Sequence, residues 1–148
     1  MGHQTAAGVT LGISLVPPAT FDQVGYDALT FNTVGEVTNI GEFGEEVNLV
    51  THNPLSTKVT EKGKGSRNRG TLNPSMALDQ DDAGQSDMET SLEGDGPAWI
   101  SITLQSGAVF YLEVLVMSFK VNIGGVDDIV TATSSLEVTA KKPVKKAA

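Results

Sequence analysis

The sequence predicts a mainly β fold: a β-sandwich or barrel of about seven antiparallel strands, with one flanking α-helix and a long β-hairpin loop. Three observations carry this. From Ala98 to Thr139, apolar and polar residues alternate almost without a break. Turn-forming runs such as Gln105-Ser106-Gly107-Ala108 and Gly124-Gly125 punctuate the alternation. Only Asp81–Glu93 joins a capping pattern to an apolar i, i+4 pair.

Strand side chains point alternately to two faces. Ile100, Ile102 and Leu104 therefore oppose Ser101 and Thr103, and Phe110, Leu112, Val114 and Val116 oppose Tyr111 and Glu113. Past Met117 the apolar parity flips to Phe119, Val121 and Ile123. A one-residue flip demands a bulge or bend near Met117-Ser118. In the last strand Val130, Ala132, Leu136 and Val138 share one face, against Thr131, Thr133, Ser135, Glu137 and Thr139. The result is a meander with one greasy face and one wet, hydroxyl-rich face.

Earlier in the chain, Val9, Leu11, Ile13 and Leu15 alternate before Pro17-Pro18. This stretch reads as a short strand or an arm docked on a neighbour, with a frayed terminus as the alternative. Phe31, Val34, Val37 and Ile40 keep neither period cleanly, and their β-branched setting favours strand. Glu45–Thr51 is another strand, ended by Asn53-Pro54. Ser56–Gly70 reads as a flexible loop or hairpin tip. Leu72, Met76 and Leu78 alternate around Pro74, which marks an edge or bulge. In Asp81–Glu93, Asp82 is the N-cap, Gln85 completes a capping box, Met88 and Leu92 form the stripe, and Gly94 stops the helix. The expected organisation is an N-terminal arm (1–28), a β domain (29–140) and a lysine-rich tail (141–148).

Cysteine is absent, which excludes disulfides and thiolate metal sites. Residues 141–148 hold four of the ten basic side chains, leaving six against 18 acidic ones, a net −12 for the body. A body that acidic repels nucleic acid. No apolar run approaches the roughly 18 residues of a membrane span, and Met1–Val16 lacks a basic start. The sequence therefore predicts a chain made in the cytoplasm, without a membrane partner.

Catalytic chemistry has little support. His3 lies in the terminal stretch, and His52 follows a strand end with no local nucleophile or orienting acid. Gly65-Ser-Arg-Asn-Arg-Gly70 has phosphate-loop glycine spacing, but Thr71 stands where lysine is required. Asp81-Asp82 and Asp127-Asp128 lack the alternating spacing of a calcium loop and read as a cap and a turn. No enzyme activity, cofactor or metal is expected.

The run Val37-Thr38-Asn39-Ile40-Gly41-Glu42-Phe43-Gly44, closed by Val50-Thr51-His52, resembles the start of the tail tube (major tail) proteins of long-tailed bacteriophages. A Gly-rich polar loop, a strand, the Asp-rich lead-in Asp79–Gln85, Phe110–Met117, Val126-Asp127-Asp128 and a Thr-rich last strand follow in the family's order. The similarity spans residues 29–139. It implies a β-sandwich with a flanking helix that assembles as a homohexameric ring. Rings stack into a hollow tube through which DNA leaves the capsid without specific binding. It further implies tail terminator, tape measure and tail tip partners, and a place in the virion tail after assembly in the host cytoplasm. The inner tube of a contractile injection or secretion device is an alternative with a related fold. A monomeric β-sandwich binding module is another, but it would want exposed loop aromatics, and aromatics are 5% of the chain. A small hydrolase would need a convergent polar pocket.

Two surfaces are expected to matter. Ser56–Gly70 carries Lys58, Lys62, Lys64, Arg67 and Arg69 against Glu61 alone, and the family's corresponding loop reaches a neighbouring subunit. The wet-face residues Thr131, Thr133, Ser135 and Glu137, with Glu42, Glu45 and Glu46 near the rim, are the expected lumen lining.

Overall fold

A computed structural model describes residues 2–147. Nine strands form one antiparallel sheet, ordered β2 (Asn32–Val34), β1 (Thr10–Ser14), β8 (Ala98–Thr103), β9 (Val109–Asn122), β10 (Thr131–Val138), β7 (Ser75–Ala77) and β3 (Val37–Asn39). Two short strands complete it: β6 (Thr71–Leu72) pairs with β10, and β11 (Val144–Lys146) pairs with β9. A separate two-stranded hairpin joins β4 (Glu46–His52) to β5 (Glu61–Asn68). The mainly β, antiparallel expectation with a flanking helix and a long hairpin holds. The sheet does not close into a barrel, and its strands number more than seven because short edge strands divide what the sequence presents as single runs. Asn73-Pro74 separates β6 from β7 in this way, since proline brings no N–H to the ladder.

The core lies on one face of the sheet. Leu11, Ile13, Ile100, Leu112, Val114, Leu136 and Ala132 are buried there beneath α2 (Ala83–Glu93), which contributes Met88. The expected parity change is present: β9 and β10 pair Leu136 with Val116 but Ser135 with Ser118, leaving Met117 as the extra residue. That bulge keeps Phe119 and Val121 on the side of Val114 and Val116.

Helix α2 begins at the expected cap, where the Asp82 carboxylate accepts from the Gln85 N–H at 2.9 Å. The return half of the capping box is not formed. The Asp82 N–H already donates to the Asp79 carbonyl, so the Gln85 side chain takes the Asp79 N–H instead. Its amide nitrogen donates to Gly35 and Ala77 carbonyls at 3.0 and 2.9 Å. Buried Gln85 thus ties the helix to three backbone groups.

The segments read as an arm and a tail are both drawn into the sheet. β1 lies between β2 and β8, with Leu11 and Ile13 buried. β11 pairs Val144 with Tyr111 and Lys146 with Val109. A second short helix, α1 (Gln23–Asp27), was not legible in the sequence. Helix α1 and residues 29–31 cover the reverse face of β8 and β9, where Tyr26, Trp99 and Tyr111 form a small second core with Leu29, Phe31 and, from the β11 edge, Val144. Tyr111 and Glu113, expected on a wet face, are buried for that reason.

Candidate assembly surfaces

Covering half of the reverse face leaves the other half open. Along β10, Ala132, Ser134, Leu136 and Val138 are buried, while Thr133 is exposed and Thr131, Ser135 and Glu137 are half-buried. Register partners share a face, so Asn122, Lys120, Ser118 and Leu115 from β9 stand beside them. The surface is rich in hydroxyls and nearly balanced in charge, with Glu137 against Lys120. The Glu137 carboxylate accepts from the Thr71 hydroxyl at 2.8 Å. Thr71 also borders a shallow depression of about 410 Å³ lined by Glu42, Glu45 and Glu46. Thr71 thus links Glu137 of the wet face to the depression that holds the acidic cluster.

Ser56–Gly70 is not an irregular loop. Most of it is β5, held against β4. Every residue of this hairpin's two strands is exposed except Val47, which is half-buried. An isolated two-stranded hairpin is marginal in water. A bulge at Gly65, beside the Asn48–Ser66 side-chain bond of 2.7 Å, sorts the charges. Val47, Leu49, Thr51, Lys62, Lys64 and Arg67 fall on one face, and Glu46, Val50, His52 and Glu61 on the other. One side is basic and the other acidic.

Five basic residues were expected to act together, and the structure divides them. Arg67 and Arg69 are both paired with Glu45 of the same chain, the Arg67 contact at 3.0 Å. Among the described residues, Lys58, Lys62 and Lys64 have no ion-pair partner. At the hairpin base Gly70 has φ +106°, and a Cβ there would strike the Gly44 backbone. Only glycine lets the two ends of the hairpin approach so closely.

The covered half of the reverse face has distinct electrostatics. Tyr111 Oη donates to Asp27 Oδ1 at 2.6 Å, and Lys146 Nζ lies 3.3 Å from the same oxygen. The Tyr111 bond is the main cause holding the Asp27 carboxyl below its ordinary value, with Lys146 adding to it. Burial pushes the Tyr111 hydroxyl up to about 12, aided by Asp27. Tyr26 stacks on Tyr111 at 5.1 Å and is also pushed up to about 12, by burial first and the Glu113 charge second. Glu113 accepts from Trp99 Nε1 at 3.2 Å and from the Thr139 hydroxyl at 2.8 Å. This cluster clasps α1 and β11 to the sheet. Only the Tyr111/Glu113 parity was visible in advance, and nothing local announced the Asp27 contact 84 residues away.

No group of three or more metal-ligating side chains occurs among the described residues. No helix of the described residues is long and apolar enough to cross a membrane. His3 and His52 are both exposed. Asp128 closes its own turn by accepting from the Gly125 N–H at 2.9 Å.

No protein-family model and no curated protein sequence matches the chain. Solved structures do. A chain of the sixfold-symmetrised baseplate of the anti-feeding prophage is similar with a TM-score of 0.71 and 10% identity, over 97% of each chain. A chain of the tail of the empty gene transfer agent particle, refined with helical C6 symmetry, gives 0.69 and 11%, over 98% of this chain and all of that one. The SPP1 tail tube gives 0.59 and 17%, over 95% of this chain and 77% of that one. Over nearly its whole length, the chain has the tail-tube fold.

Proposed function

We propose that the chain is a structural, non-catalytic tail subunit that forms homohexameric rings and stacks them into a hollow tube. The observation that carries this is the β4–β5 hairpin: fully formed, almost wholly exposed, basic on one face and acidic on the other. Such a strand pair gains stability only when a neighbour covers it. Opposite charge on its two faces suits insertion between two copies of one subunit, because complementary charge sets register and speeds encounter. The sixfold symmetry of the similar assemblies supports a ring of six.

In this reading Lys58, Lys62 and Lys64 meet an acidic surface of the next copy, while Arg67 and Arg69 hold the hairpin base through Glu45. Thr131, Thr133, Ser135 and Glu137 line the bore, with Glu42 and Glu46 supplying its net negative charge near the rim. A hydroxyl-lined bore of net negative charge, in which Glu137 offsets Lys120, repels DNA phosphates, so the duplex slides through. Tail terminator, tape measure and tail tip proteins would meet the tube ends, in a virion tail assembled in the host cytoplasm. The likeness to a chain of the sheath/tube terminator of an extracellular contractile injection system favours a second reading, the inner tube of an injection device. A sheath around native particles in micrographs would separate the two.

Sedimentation and negative-stain microscopy across a concentration series test the proposal. Sixfold rings and tubes are the expected result. A strictly monomeric species at high concentration and at every salt would overturn it, and a reconstructed lumen of net positive charge would overturn the bore assignment.

A further inference from the structure

Two apolar features remain without a use, and they lie at opposite ends of strand β9. At its start, Phe110 joins Val9, Ile40, Phe43, Ile102 and Leu104 in lining an open groove of about 520 Å³. Phe43 packs edge-on against Phe110 at 5.4 Å to form the groove's floor. At the other end, the β9–β10 turn carries Ile123, Val126 and Ile129 at 69%, 102% and 74% exposure. This tip is a built projection. Gly124 takes φ +69°, the Asp128 carboxylate accepts from the Gly125 N–H, and the Asp128 N–H returns to the Gly125 carbonyl at 3.2 Å. An ordered turn thus holds a fully exposed valine out into solvent, between two isoleucines.

We infer that the tip of one copy seats in the groove of the next, as an axial knob-and-hole joint between stacked subunits. The inference rests on the tube reading and adds the residues of one contact to it. Twelve residues of strand separate Phe110 from Asn122, about 40 Å at strand rise, so the Phe110 end of the groove cannot meet the tip within one chain. Charge matches as well as shape. Asp127 and Asp128 flank the tip's apolar residues, and Lys145 stands beside the groove with its Nζ 5.8 Å from the Phe110 ring centre. A patch and its complement at opposite ends of one molecule make a heterologous contact, which repeats without closing and generates a stack. Burying the three aliphatic side chains removes the largest exposed apolar group at that end from water.

Because the chain lacks cysteine, pairing can be read directly. Val126→Cys combined with Thr5→Cys, an exposed residue at the Phe110 end of the groove, should form disulfide ladders of several copies under mild oxidation. Either single variant should give no ladder. Val126→Asp, fully exposed and thus harmless to folding, should raise the concentration needed for tube formation about tenfold or more with an unchanged melting temperature. If the wild type forms tubes while Val126→Asp does so equally well and the double-cysteine chain gives no ladder, the joint is refuted and the tube reading stands. A dimer from Val126→Cys alone would mean that tips meet tips, which also refutes it. A wild type that forms no polymer removes the tube reading and this joint together.

Discussion

Asp27 and Tyr111 show how much one side-chain bond can organise. Their 2.6 Å contact joins helix α1 to strand β9, and Lys146 of β11 closes on the same carboxylate. Asp27 is held below its ordinary value, so its contribution is present above about pH 3.8 and is lost as the pH falls through its lower folded value. The tyrosines behave oppositely. Both are raised from 10.0 to about 12, so their contribution is complete below pH 10 and fades as the pH rises through about 12. The chain has only two tyrosines, and an ultraviolet titration should therefore show no tyrosinate at pH 10 while the fold persists. Tyr111→Phe should move the Asp27 carboxyl back up toward its ordinary value, which a carboxyl NMR titration would record.

At the scale of elements, α2 and the β4–β5 hairpin are held by different means. The helix is fastened by Gln85, whose buried amide meets the backbones of Gly35, Ala77 and Asp79. Gln85→Leu leaves those groups without partners and should cost about 2–3 kcal/mol, measured as a fall in the denaturant midpoint. The hairpin has no core of its own, so its charges should matter to assembly and little to folding. Arg67→Glu with Arg69→Glu would gather three carboxylates at the hairpin base around Glu45. The main sheet should keep its stability within about 0.5 kcal/mol while polymerisation is impaired. Lys62→Glu with Lys64→Glu spares the base and probes the basic face alone. If that second pair polymerised like wild type at moderate salt, the basic face would play no part in the joint.

For the whole molecule, the sheet has two unlike reverse halves. Helix α1 with Leu29 and Phe31 covers the β8–β9 half, and the β10–β7 half stays open. An open, polar half-face and edge strands that stop short are features that ring closure can satisfy, since neighbouring sheets then pair or cover one another. Excising the hairpin, by joining Glu45 to Arg69 through a short glycine linker, should leave a folded monomer. Circular dichroism would show the remaining strands, and sedimentation would show the loss of rings.

The sequence alone determined the β class, the meander of residues 98–139, the bulge at Met117, the α2 cap at Asp82 and the break at Pro74. Each is written in spacing or in a local backbone requirement, so neighbours in sequence suffice to read it. It also carried the hydroxyl face of β10, because alternation assigns residues to a common face. Only the tertiary structure decided which parts of that reverse face stay wet, since covering Tyr111 and Glu113 depends on segments from both chain ends. It likewise decided that Arg67 and Arg69 turn inward to Glu45 while Lys62 and Lys64 remain free. Alternation places residues on a face, but partners far apart in sequence determine whether that face meets water, protein or nothing.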